Sequence, residues 1–305
     1  MTLTPDSKQK TGAAGLAHLS ILIPGIGFVV PLLLWLRHRK DTPYVRFQIL
    51  QAFVFQMMQV LFWQVLLLLQ AIILILLQVI NVNLHPHLST QQALLLKALT
   101  VSGAIFLGLN LVYIGIAVWG AVMVFMGKEW SYPWIGKRIQ KSLIVDGQVN
   151  PHFETRLVAA MNHFALFYGI SGLFVPFLTW ILRGKERQYL TYHALQALVI
   201  QAFTMVLYHA LLLLQAVVAI PLMMVVISMI NQSGTMIQSK ILVFGSLITS
   251  GFLLTFTFLV IPVFAVFVTI AVIRILKNKP YDYPIIGKKI KKQMKLALVS
   301  PVEPA

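Results

Sequence analysis

An all-α integral membrane protein, built as two parallel tandem repeats that each contain a short re-entrant or kinked hairpin and two long transmembrane helices, is the fold the sequence predicts. Three observations point to it. Apolar residues make up 59% of the 305 positions and charged ones only 10%, too oily a mixture for a soluble domain. Apolar runs longer than 18 residues recur, each enough to cross a hydrocarbon layer of about 30 Å. The second half of the chain also repeats the first. A disulfide-stapled secreted domain is excluded by the absence of cysteine, which also removes thiolate metal sites and cysteine nucleophiles. The net charge of +16 comes from Lys and Arg in short segments between apolar runs, so it reads as a topology signal and not as a nucleic-acid surface.

The elements follow in order. Residues 1–14 form a polar tail carrying Lys8 and Lys10, and the first membrane repeat is expected over 15–147. Its first apolar run is interrupted at Pro24, Gly25 and Gly27 and closes in the basic patch Arg37-His38-Arg39-Lys40. Long runs follow over 47–80 and 93–126, each about 51 Å as a helix and therefore expected to tilt or protrude. The second repeat, 148–305, has runs over 157–182, 190–230 and 241–275, with its bend expected at Gly169 and Gly172, and ends in a basic interfacial segment.

Sliding the chain by 145 residues superposes His18 on His163, Gly27 on Gly172, Pro31 on Pro176, Trp35 on Trp180 and Tyr44 on Tyr189. The register holds without a gap through Gln70 and Gln215, with 18 identities over 53 residues, and matches in His, Trp, Pro and Gln make chance a poor explanation. A closing motif, Tyr132-Pro-Trp-Ile-Gly-Lys137, matches Tyr283-Pro-Ile-Ile-Gly-Lys288 at an offset of 151. It reads as an interfacial anchor, with Tyr132, Trp134 and Tyr283 at headgroup depth and Lys137 and Lys288 beyond. After it, Ile286, Ile290, Met294 and Leu298 share one face among lysines, as in a helix lying on an anionic leaflet.

Charge decides the expected topology. If every apolar run crossed, Lys and Arg would divide 14 to 10 between the two sides. If the first run of each half returned to its own side, the division would be 22 to 2, with only Lys97 and Lys240 outside. The second arrangement makes the repeats parallel, with both termini in the cytosol of a bacterial plasma membrane.

The residues that could carry chemistry are few. The acidic residues lie in tails or connections, so proton-coupled transport and intramembrane aspartyl proteolysis, which need buried carboxylates, are not expected. No nucleophile elbow or phosphate loop appears, and no enzyme, cofactor or metal site is assigned. His85-Pro86-His87 has no counterpart in the second half and is not read as a metal site. The informative polar feature is a stripe along the long second run, Gln48, Gln51, Gln56, Gln59 and Gln70, answered 145 positions later by His193, Gln196, Gln201, Thr204 and Gln215. Unpartnered amides would cost several kcal/mol each in lipid, so this stripe must meet protein or water. It serves either as glue between helices or as a polar groove, and the equivalence of the two stripes suggests that they meet as a central seam.

The His-containing hairpin, the aromatic-x-x-x-Gln-Ala entry of the long helix (Phe47 to Ala52, Tyr192 to Ala197) and the closing Tyr-Pro-x-Ile-Gly-Lys together resemble the Tic-twenty-like bacterial membrane domain of unknown function. That family is related to the twenty-kilodalton component of the chloroplast inner-envelope import machinery. The resemblance implies a non-enzymatic multi-pass protein assisting polypeptide translocation or insertion. A structural or assembly subunit of a larger membrane complex, and a small-solute channel or facilitator, are the alternatives. The expected partners are an anionic lipid leaflet and other membrane proteins.

Overall fold

The computed structural model describes residues 8–84, 88–183, 188–231 and 262–294. It is helical apart from one two-stranded ribbon among these residues. Two compact units divide at Thr155 and Arg156.

In the first unit, α1 (Lys8–Leu19) runs into a 3-10 turn (Ser20–Leu22), and a bend leads to α2 (Val29–Arg37). The helix breaks where Pro24 and Gly25 stand, with Gly25 at φ 74°. Gly27 is required by a close approach: a Cβ there would lie 2.2 Å from the Ser20 carbonyl oxygen. At about 1.5 Å per residue, α1 and α2 reach about 18 and 14 Å, so neither alone matches a bilayer core. Pro43, suited to the first helical position, opens α3 (Pro43–Leu84), and α4 is Leu88–Phe125. Both are longer than the apolar runs that foreshadow them.

A short helix α5 (Ile135–Leu143) is followed by β1 (Ile144–Val145) and β2 (Gln148–Val149), paired antiparallel with Ile144 opposite Val149. Asp146 at φ 49° and Gly147 at φ 77° make the two-residue turn, a strong local hairpin signal. The chain then enters α6 (Pro151–Phe164), where Asn150 caps the helix by accepting from the backbone N–H of His152 and Phe153, both at 3.1 Å.

The second unit repeats the plan. A 3-10 turn (Ala165–Tyr168) and a second (Ser171–Leu173) separate α6 from α7 (Phe174–Arg183), and α8 is Gln188–Asn231. Gly172 is the counterpart of Gly27, and a Cβ on it would lie 1.8 Å from the Ala165 carbonyl oxygen. The described part of the next helix, α9, covers Pro262–Leu276, and α10 is Ile286–Gln293. The remainder of the 241–275 run and Leu298 lie outside the described residues.

Among the described residues, three helices are long and apolar enough to cross a membrane, with spans Pro43–Ile73, Leu96–Phe125 and Gln188–Val218. Burial along α3 is sharply divided. Residues 44–57 are almost all buried, with Phe47, Gln48, Leu50 and Gln51 fully so, whereas Val65, Leu68, Leu69 and Leu76 are half or more exposed. Leu and Ile turned outward with amides turned inward is the reverse of a water-soluble helix and the pattern expected against lipid.

Glu154, read from sequence as part of a connection, is instead inside α6 and buried. Its Oε1 accepts from Trp35 Nε1 (2.8 Å) and Arg46 Nε (3.0 Å), and Arg46 Nη2 reaches Oε2. Periodicity could not reveal this pairing, because its members lie more than 100 residues apart.

Candidate functional site

The three motifs recognised in each repeat converge on one buried hydrogen-bonded cluster. In the first unit, α1 supplies His18, α3 supplies Gln48 and Gln51, and the segment before α5 supplies Trp130 and Tyr132. His18 Nε2 lies 3.1 Å from Gln48 Oε1 and its Nδ1 lies 2.6 Å from Tyr132 Oη. An amide oxygen can only accept, so Nε2 carries the proton and Nδ1 accepts from the tyrosine hydroxyl. Gln48 and Gln51 both donate to the Trp130 carbonyl (3.0 and 2.8 Å), and Gln51 also donates to Gln48 Oε1 (2.5 Å). Tyr132 N–H in turn donates to Gln51 Oε1 at 3.2 Å.

This is a latch that holds the closing motif to the long helix and satisfies backbone groups that no secondary structure serves. Burial holds the Tyr132 hydroxyl well above its ordinary pKa, so it remains a donor. Below the latch, Phe55 stacks on Tyr132 with centroids 3.8 Å apart.

The second unit builds a similar latch, without a counterpart to the bond that Gln51 donates to the Trp130 carbonyl. His163 Nδ1 meets Tyr283 Oη at 3.1 Å, and Tyr283 N–H donates to Gln196 Oε1 at 3.0 Å. The place of Gln48 is taken by His193, whose Nδ1 lies 3.1 Å from His163 Nε2. The ring centroids are 5.3 Å apart, so the two nitrogens point at each other along a shared N–H···N bond. A metal would need both lone pairs aimed at one point about 2.0–2.1 Å away, which this end-on geometry does not provide. Neither acceptor that serves Gln51 Nε2 has a working counterpart, since His193 replaces Gln48 and the Tyr281 carbonyl accepts no bond from Gln196, and Gln196 Nε2 is buried without a partner among the described residues. Among those residues, no group of three or more His, Asp or Glu side chains converges as a metal site, and His85 and His87 lie outside them.

The rest of the stripe separates into parts. Gln56 donates to the Ala17 carbonyl (2.7 Å), and its counterpart Gln201 donates to Asn162 (3.1 Å), each tying the hairpin to its own long helix. Thr204 bonds back to the Ile200 carbonyl at 2.7 Å. Gln59 is half-buried, Gln70 is half-buried and donates to Ser102 Oγ on α4 at 3.1 Å, and Gln215 is half-buried with its Oε1 unpartnered among the described residues. Gln48, Gln51 and Gln56 are therefore spent on hydrogen bonds within the first repeat, whereas in the second repeat Gln196 Nε2, Gln201 Oε1 and Gln215 Oε1 are buried without a partner among the described residues.

Tyr132 and Tyr283, expected at headgroup depth, are 0% and 2% exposed and belong to the latches. Trp134, Lys137 and Lys288 are exposed. The face of α10 expected to lie on lipid is turned inward: Ile290 is buried, and a Cβ on Gly287 would come within 3.1 Å of Gln196 Oε1. The bend residues Pro24 and Gly25 are exposed, Gly27 and Gly172 are buried, and Gly169 takes φ 58° at an exposed position.

Two helical repeats of one plan, each latched through His, Gln and Tyr and each carrying apolar residues outward on its long helix, define the class as a tandemly duplicated helical protein of membrane-spanning composition. The model of the magnetosome magnetite crystal formation protein family (MamF/MmsF) matches residues 9–139 and again 154–290. The chain belongs to that family, as two copies in tandem. The starts of the matches lie 145 residues apart and their ends 151 apart, the two offsets read from the repeat itself. This overturns the resemblance to the Tic-twenty-like domain: the motifs that carried it lie within the magnetosome-family matches, and no Tic-twenty-like match accompanies them. No curated protein and no solved structure matches the chain.

Proposed function

We propose that the chain is a non-enzymatic integral membrane protein that takes part in magnetite crystal formation as a structural or assembly subunit of the magnetosome membrane. Membership of the family through both repeats is the observation that carries this reading. It is supported by the three long apolar helices with outward Leu and Ile. The structural role is favoured over a solute path because Gln48, Gln51 and Gln56 of the first repeat and Gln201 Nε2 of the second are spent on hydrogen bonds within their own repeat. In this reading four long helices cross the bilayer, each broken hairpin re-enters and returns to its own side, and both termini face the cytosol, as the 22 to 2 charge division favours.

The test is deletion and complementation in a magnetosome-forming bacterium, with membrane fractionation and crystal sizing by electron microscopy. The protein is expected in the magnetosome membrane fraction, and its loss is expected to change crystal size or shape. Absence from that fraction, together with unchanged crystals, would overturn the reading.

A further inference from the structure

Each closing motif contains a backbone conformation that costs energy and recurs. Trp134 sits at φ 63°, ψ −54°, and Ile285, 151 positions later, at φ 69°, ψ −58°. In both, the flanking residues close a three-residue ring: Ile135 N–H to the Pro133 carbonyl at 2.7 Å, and Ile286 N–H to the Pro284 carbonyl at 2.8 Å. These are γ-turns of the rare positive-φ kind, and for a β-branched residue such as Ile285 the conformation is an outlier. A feature of this cost, kept at equivalent places in two diverged repeats, calls for a function.

The turn leaves one large apolar side chain at its tip facing out, with Trp134 85% and Ile285 70% exposed. The latch holds it there, since the residue two positions earlier is tied to Gln51 or Gln196. The helix behind each tip spends its apolar face on the protein: Gly136, Ile139 and Leu143 are buried in α5, and Gly287 and Ile290 in α10. Cations remain outside, with Lys137, Arg138 and Lys141 behind the first tip and Lys288, Lys289 and Lys292 behind the second, all exposed.

We infer that each γ-turn tip, with its three cations, docks on the anionic phospholipid headgroups of the leaflet, the apolar side chain entering as a wedge while the basic face lies against phosphate. The inference rests on the membrane reading above and differs from an amphipathic helix laid on lipid, because the apolar stripe of the helix is already used. Charge complementarity selects the occupant, since cations close to an anionic surface each contribute about fivefold in binding. A tryptophan at the water interface is placed where its amphipathic ring is favoured.

The test uses the full chain in lipid nanodiscs of phosphatidylcholine, alone or mixed with phosphatidylglycerol. Quenching of Trp134 fluorescence by acrylamide is isolated by subtracting Trp134→Phe, and Ile285→Trp in that background reports the second tip. The expected result is quenching reduced several-fold by phosphatidylglycerol at both positions, restored at 134 by Lys137→Gln with Arg138→Gln and Lys141→Gln, and at 285 by Lys288→Gln with Lys289→Gln and Lys292→Gln. Equal quenching in both lipids, whether strong or weak, would overturn headgroup recognition; strong quenching in both would leave the surface to an acidic protein partner. Flotation separates this from the underlying reading: a chain that inserts but fails the quenching test leaves the membrane assignment standing, whereas one that does not insert overturns both.

Discussion

Replacing Gln51 by leucine should destabilise the protein more than replacing its repeat counterpart Gln196, although the two occupy the same place in the same motif. Leucine keeps the approximate volume and removes the amide. In the first repeat the change strands the buried Tyr132 N–H, at a cost of about 1–3 kcal/mol. The Trp130 carbonyl keeps Gln48, and Gln48 Oε1 keeps His18, so the two lost donations add only about 1 kcal/mol together. The total is about 3 kcal/mol. In the second repeat Tyr283 N–H is stranded in the same way, but leucine also removes the Gln196 Nε2 donor that is already buried unpaired. The two effects offset, leaving about 1 kcal/mol. For a repeat of about 150 residues, 1 kcal/mol shifts Tm by about 2–4 °C, so Gln51→Leu should lower it by about 6–12 °C and Gln196→Leu by about 2–4 °C. Thermal unfolding of the purified variants, followed by circular dichroism, measures both. A Gln196→Leu loss equal to or larger than that of Gln51→Leu would refute the hydrogen-bond accounting, and wild-type Tm in Gln51→Leu would refute the latch.

His193→Gln should stay within about 1 kcal/mol of wild type, because it rebuilds the first repeat's pairing and supplies a carbonyl for Gln196 Nε2, whereas His18→Ala should cost about 2–4 kcal/mol by stranding Tyr132 Oη; thermal unfolding again distinguishes them. Glu154→Gln leaves the largely buried Arg46 guanidinium without its counter-charge and should cost about 3–5 kcal/mol, read as a lower midpoint in chemical denaturation. Gly136→Ala brings a Cβ within 2.7 Å of Gln51 Oε1 and should cost about 1–3 kcal/mol, seen as a lower Tm in thermal unfolding. Single cysteines placed at 40, 141, 185 and 292 of this cysteine-free chain should react with an impermeant thiol reagent from the cytosolic side, and those at 83 and 232 from the opposite side. Reaction of 40 and 185 from opposite sides would restore three crossings per repeat.

Much of the architecture was legible in the residues alone. Apolar composition and run length report where helices can replace water by lipid, and both are properties of a short stretch of chain. The helix breaks at Pro24, Gly25 and Gly172 follow from local backbone sterics, and the duplication follows from matched His, Trp, Pro and Gln at constant offset. Asn150-Pro151 and Asp146-Gly147 carried helix-cap and hairpin signals that could also have been read locally. Partnership was different. Periodicity showed that Gln48, Gln51 and Gln56 share a polar face, but water, lipid headgroup and chain all satisfy an amide, and spacing does not distinguish them. Only the folded chain brings Tyr132 across some 80 residues to Gln51, turning an expected lipid anchor into a buried latch. Only it pairs Glu154 with Arg46, turns the apolar face of α10 inward, and strains Trp134 and Ile285 into γ-turns. Each of these outcomes depends on which polar groups compete for the same buried space, a condition imposed by distant parts of the chain together and by no single segment.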